Sequence, residues 1–351
     1  MTPAATDDSP RGIELARGYW HELVEPLLDR QWPGLPVAAA RVGTGSDVLG
    51  LDDAMSRDHD WGLRLQLFVD PAHIGPVTET LTTRLPERFR GLPTRFAFTG
   101  ADHPRLGIDV TTVAGFLHAR LGFDPREGAA YQDWLSITGQ AALEVTGGAV
   151  FADPTGELTS ARQVMDWYPP DVWRYVLACD WQRIDEELPL MGRAADRGDE
   201  LGSRVIAARL VDVTSHLAFT VARRWTPYPK WRGTLLAGLA IGPSISPHLE
   251  RALASTDWTE RSAALAVALR LVVDQQRAAG LPSVAEPCRP FWDRPYLRID
   301  PELTMRLIAD ITDPQLRSLP TGLGSAEQRT NSVAILTDPA LRLALVRSRA
   351  A

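Results

Sequence analysis

The chain is poor in three things, and each shortage narrows what it can be. It has two cysteines, Cys179 and Cys288, in 351 residues. That excludes a disulfide framework and fits a reducing, cytoplasmic setting. It has no run of ~18 consecutive apolar residues, so no membrane span is expected, and no N-terminal apolar stretch resembles a secretion signal. It has one lysine, Lys230, nearly all of its 37 basic residues being arginine. Acidic residues number 44, for a formal net charge of −7. Proteins built to grip nucleic acid carry a basic stripe, so the balance turns the expected partner toward a small molecule or a protein. What is present is ordinary globular composition, 44% hydrophobic and 23% charged. The length suffices for two domains with their own cores.

The most informative stretch lies between residues 37 and 69. Val37-Ala38-Ala39-Ala40-Arg41-Val42 is a mostly apolar run bounded by Pro36 and Gly43, which predicts a buried strand. Gly43-Thr44-Gly45-Ser46 then turns the chain. Glycine lets backbone N–H groups approach an anion, and a serine hydroxyl adds a donor. Trp61 to Val69 reads as a second strand, with Leu63, Leu65, Leu67 and Val69 on one face. Continued backward, the alternation puts Asp58 and Asp60 on the same side, with His59 opposite. Two aspartates side by side repel unless a cation sits between them, and Mg²⁺ takes carboxylate oxygens while keeping positions open for phosphates. Asp109, inside the apolar run Leu106 to Thr111, is a third carboxylate able to join them. Three carboxylates can hold two metals roughly 3.5–4 Å apart.

A dinucleotide fingerprint overlaps the same residues. Gly43-Thr44-Gly45 follows a strand, and Asp70 ends the next one. The third glycine position is Val48, however, and residues 51–60 are too polar and too few for the crossover helix, which needs ~10–12 residues with its loops. Zinc-type Cys/His spacing, a G-x-x-x-x-G-K loop and a G-x-S-x-G elbow are all absent.

Gly-Ser, a spacer, Asp-x-Asp and a later Asp in an apolar strand together resemble the polymerase-β-like nucleotidyltransferase superfamily. The resemblance implies that Gly45 and Ser46 contact a nucleoside triphosphate. It also implies that Asp58, Asp60 and Asp109 hold two Mg²⁺ ions and carry catalysis. The chain departs from that pattern at His59, where the family usually has an apolar residue, and in the Asp-rich spacer Gly50 to Arg57.

The N-terminal part reads as a mixed sheet with flanking helices, the C-terminal part as helices. Helices are expected over 12–30, 73–85, 113–121 and 128–142, and strands near 94–98, 106–111 and 144–151. Beyond these, helices are expected over 161–167, 170–190, 201–225, 231–239 and 258–280. The fold class is therefore α+β: a nucleotidyltransferase-like domain over 1–155, then an all-α domain over 156–351. Pro227 and Pro229 end a long helix and fix a turn that carries Lys230, which could neutralise phosphate as a point charge. Trp173, Trp181 and Trp225 are expected in the core. With Pro-Tyr-Pro-Lys-Trp, the segments Arg294-Pro295-Tyr296, Ile311 to Arg317 and Gly324 to Gln328 resemble a bacterial family of unknown function. Its members join a nucleotidyltransferase-like domain to a helical one. The layout is also similar to that of aminoglycoside and lincosamide nucleotidyltransferases, a likeness of fold that carries no substrate. The function so implied is transfer of a nucleoside monophosphate from an NTP to a hydroxyl of a small-molecule or protein acceptor. The alternative is a nucleotide sensor or partner-binding protein without catalysis. An RNA-cutting role for the helices would call for Arg-x-x-x-x-His, whereas His216 follows Arg209 by seven residues.

Overall fold

A computed structural model describes residues 11–55, 60–99 and 102–348. Contacts divide the chain into two compact units, Met1–Ala129 with Ala141–Asp166, and Ala130–Gln140 with Trp167–Ala351. The class is α+β, as expected: a mixed sheet with helices, then a mostly helical region.

The first unit is built on a four-stranded sheet of β1 (Ala38–Arg41), β2 (Leu65–Phe68), β7 (Ile108–Thr111) and β8 (Ala149–Ala152). The order is β7-β2-β1-β8. β1 runs antiparallel to β2 and β8, and β2 runs parallel to β7. Two short antiparallel pairs lie between β2 and β7 in sequence: β3 (Arg88–Phe89) with β4 (Leu92–Pro93), and β5 (Arg95–Phe96) with β6 (Arg105–Leu106). One face of the sheet, with Ala39, Leu63, Leu65, Leu67 and Ile108, joins the core made by α1 (Gly12–Tyr19), α2 (Glu25–Gln31) and α3 (Ile74–Arg84). Phe68 points to the other face and meets Phe116 of α4 (Val113–Leu121) edge-on at 5.5 Å.

Three expectations are corrected here. The helix expected over 12–30 is interrupted by a π-helical turn at Trp20–Val24. The wider turn accommodates one more residue than an α-helix would, and Tyr19, Trp20, Val24, Leu27 and Leu28 are all buried. The second strand begins at Leu65, not Trp61, so strand alternation does not reach Asp60. Asp60 has left-handed backbone, φ 54°, and Gly62 has φ 149°. Just beyond, Gly107 lies close against the chain: a Cβ there would be 2.2 Å from the Leu63 carbonyl oxygen. Likewise, residues 128–142 form two helices, α5 (Tyr131–Ser136) and α6 (Gly139–Thr146), separated by extended Ile137. A short helix, α7 (Glu157–Val164), closes this unit.

The second unit centres on the antiparallel pair α8 (Pro170–Ala195) and α9 (Glu200–Val221). It continues through α10 (Pro229–Ala237), α11 (Gly242–Ala254) and α12 (Trp258–Ala278). A strand pair follows, β9 (Cys288–Pro290) with β10 (Leu297–Ile299). The last helices are α13 (Pro301–Ala309), α14 (Pro314–Ser318), α15 (Ala326–Arg329), α16 (Val333–Thr337) and α17 (Pro339–Arg347). Aspartate caps begin five of these helices, at Asp199, Asp257, Asp300, Asp313 and Asp338, each accepting a first-turn N–H. Trp173, Trp181 and Trp225 are core residues, as expected. The indole N–H of Trp181 donates to Gln276 and that of Trp173 to the Thr220 carbonyl, so the buried polar atoms are satisfied. No helix among the described residues is long and apolar enough to cross a membrane.

Candidate functional site

The turn after β1 is held from beneath by a charge that the sequence places, against expectation, in an apolar strand. Arg41 is fully buried. Its Nε and Nη2 each lie 2.7 Å from a carboxylate oxygen of Asp47, also buried. Nη1 donates to the Val42 carbonyl and Nη2 also to that of Thr44. A bidentate pair with its remaining donors satisfied is the geometry in which a buried ion pair can be tolerated. Gly45 crosses directly above it at φ 138°, where an added Cβ would sit 2.2 Å from Asp47 Oδ1 and 2.4 Å from Arg41 Nη2. Only glycine fits there.

This packing leaves the outer side of the turn open. The backbone N–H groups of Thr44, Gly45 and Ser46 donate to no acceptor among the described residues, and neither does the Ser46 hydroxyl. Consecutive unengaged N–H groups beside buried guanidinium charge suit phosphate oxygens.

A second arginine, Arg64, links the turn to the segment before β2. It follows Leu63 and precedes β2, and it is buried. Its Nη2 donates to Thr44 Oγ1 at 3.0 Å and its Nη1 to the Asp60 carbonyl at 3.0 Å. Burial lowers this guanidinium to about 10, Arg41 pushes in the same direction, and Asp47, Asp109 and Asp60 push back. It stays charged at neutral pH. Asp60 and Asp109 thus both lie in the field of one cation at the Gly-Ser turn.

Asp109 sits on β7 opposite Gln66 of β2. Gln66 in turn accepts the Val42 N–H at 3.0 Å, immediately before the turn. Asp109 is exposed, with Arg105 Nη1 3.3 Å from Oδ1. Asp60 Oδ1 accepts the Thr99 N–H at 2.7 Å. Asp58, with His59, lies outside the described residues. Lys230 belongs to the second unit, where it is exposed at the start of α10, its ammonium 4.7 Å from the centre of the Trp231 ring.

No group of three or more metal-ligating side chains occurs among the described residues. The described carboxylates, Asp60 and Asp109, are oxygen donors of the kind a hard divalent ion takes. Arg41, Asp47, Thr44 and Arg64 were not singled out from sequence. The available signal was a charge with apolar neighbours on both sides, Ala40-Arg41-Val42 and Leu63-Arg64-Leu65, which requires a buried partner.

Residues 134–232 match the model of a domain of unknown function, DUF4037. No curated protein matches the chain. Among solved structures, it is loosely similar to a nucleotidyltransferase-like protein from Exiguobacterium sibiricum 255-15. The TM-score is 0.33 at 12% identity, covering 76% of this chain and 77% of that one.

Proposed function

We propose that the chain is a metal-dependent nucleotidyltransferase whose nucleotide site is the Gly45-Ser46 turn. The observation that carries this reading is the turn itself: three successive N–H groups and a hydroxyl without acceptors among the described residues, over buried Arg41 and beside Arg64. Terminal phosphates of an NTP would take these donors. Asp58, Asp60 and Asp109 would hold Mg²⁺, which when bound neutralises triphosphate charge and favours ionisation of an acceptor hydroxyl. The acceptor oxygen would then bond to the α-phosphorus as its proton leaves and the bond to pyrophosphate breaks. Arg64 adds positive charge that requires no reorganisation during the step. A small molecule or protein is proposed as the acceptor.

One observation favours the second reading, nucleotide binding without transfer. The Arg64 guanidinium already offsets the negative charge of Asp60 and Asp109. The two readings separate by experiment. ATP, GTP, CTP and UTP are each supplied with Mg²⁺, and binding by calorimetry is compared with pyrophosphate release. Transfer predicts release that falls at least ~100-fold in Asp58→Ala and Asp60→Ala. Equal release in wild type and both variants would sink the transferase reading. Binding that needs Gly45, with no release, would support the sensor.

A further inference from the structure

Three arginines stand around the Gly-Ser turn, and they differ in how firmly each is held. Arg41 is fully buried and donates to Asp47, Val42 and Thr44. Arg64 is buried and donates to Thr44 and the Asp60 carbonyl. Arg105 makes a single hydrogen bond, from Nη1 to Asp109 Oδ1 at 3.3 Å, and the two side chains are 55% and 49% exposed. Its other N–H groups have no acceptor among the described residues. An exposed ion pair of this kind contributes little, so Arg105 can change partner at small cost where Arg41 and Arg64 cannot.

We infer that Arg105 is a phosphate-binding residue that exchanges partners: where Asp109 takes a divalent ion, the guanidinium turns to the phosphates of the substrate. This rests on the nucleotidyltransferase reading and names one more residue of the same site. A divalent ion and a guanidinium compete for one carboxylate and repel each other. The displaced guanidinium keeps several unengaged donors, in a fork that matches phosphate oxygens.

The surrounding packing keeps Arg105 at the turn. It lies opposite Phe96 in the β5–β6 pair. Phe96 is wedged against two glycines: a Cβ would come within 3.2 Å of its ring from Gly62 and within 2.9 Å from Gly107. The strand pair is thereby seated on the segment between Asp60 and β2. Phe98 holds the guanidinium itself, 4.2 Å from the ring centre, and Arg64 lies 5.8 Å from the same centre. Arg64 in turn bonds Thr44 of the turn. One phenyl ring therefore gathers two guanidiniums beside the donors that suit a triphosphate.

The test follows from the opposite signs of the two roles. Calorimetry on the full chain measures two affinities, for Mn²⁺ alone and for whichever of ATP, GTP, CTP and UTP binds most tightly with Mg²⁺. Arg105→Ala removes a competitor for Asp109, so Mn²⁺ should bind about threefold to fivefold more tightly, the upper range for an exposed pair. The same variant loses a charged phosphate contact, so the nucleotide should bind at least ~10-fold more weakly. A residue that merely supported the strand pair would weaken both. Arg95→Ala removes an equal charge from the partner strand, where Arg95 bonds the Thr82 carbonyl. It should move neither affinity beyond about twofold, because distant exposed charge is screened. Circular dichroism and melting temperature establish that both variants fold. No gain in Mn²⁺ affinity, undiminished nucleotide binding, or the same two changes in Arg95→Ala would each overturn the inference and leave the nucleotidyltransferase reading standing. Wild type that binds none of the four nucleotides with Mg²⁺ would overturn both.

Discussion

At the scale of single residues, the site depends on charges that are buried for structural reasons. Arg41 and Asp47 hold the turn that Gly45 caps, so breaking the pair should unfold more than it inactivates. Arg41→Ala leaves Asp47 buried and unpaired, and the expected loss is about 3–5 kcal/mol, measured by urea denaturation. The double variant Arg41→Ala/Asp47→Ala should lose less than the sum of the two single ones, because neither charge is then stranded. Gly45→Ala is a different kind of change. It meets Asp47 Oδ1 at 2.2 Å and a φ of 138°, and strained backbone of this kind costs on the order of 1–3 kcal/mol before any clash is relieved. Its expected signature is lower stability together with lost NTP binding in calorimetry. The turn itself was legible as Gly-Ser after an apolar run. Its supports were not, because a pattern of apolar neighbours reveals a buried charge without revealing its partner.

At the scale of elements, one histidine ties four segments of the second unit. His216 of α9 lies 2.7 Å from Asp180 of α8 and 3.2 Å from Glu327 of α15. Glu327 also accepts the Gly139 N–H at the start of α6, and Gln328 donates to Asp180. The Tyr168 hydroxyl, buried and raised above its usual range by burial and by these two carboxylates, faces the same group. Burial opposes charge on His216, but Asp180 and Glu327 outweigh it and push the imidazolium up to about 10. The ordinary value is 6.5. A raised folded-state pKa means the stabilisation is complete below about pH 6.5 and is lost as pH rises toward 10. Urea midpoints followed from pH 6 to pH 10 should therefore fall, and His216→Gln should flatten the decline. Sequence periodicity located the longest helices, with α4 at Val113–Leu121 and α12 within two residues of its expected end, but gave neither α11 nor α13 to α17. It missed the π-turn at Trp20–Val24 and the break at Ile137, since both keep the apolar stripe and alter only the winding of the backbone. The strand expected from Trp61 failed for a related reason: side-chain alternation carries no information about the positive φ that Asp60 and Gly62 adopt.

At the scale of the whole molecule, the contact pattern and the chain order differ. Residues Ala130–Gln140 pack with the second unit although first-unit residues flank them. Within that unit, Arg342 of α17 donates to the Ser136 carbonyl at 3.0 Å, and Arg347 lies 3.6 Å from Asp133. A fragment spanning 156–351 therefore lacks α5 and leaves buried Arg342 short of an acceptor. It should melt lower than a fragment spanning 130–351, or aggregate where the longer one stays monodisperse, as read by calorimetry and light scattering. The near-absence of lysine has a consequence of another sort. Reversible acylation of side-chain amines, by enzymes or by reactive acyl donors, has a single address on this surface. That address is exposed and rests over Trp231, so each modification event cancels one cation–π contact and reports itself in the fluorescence of the adjoining indole.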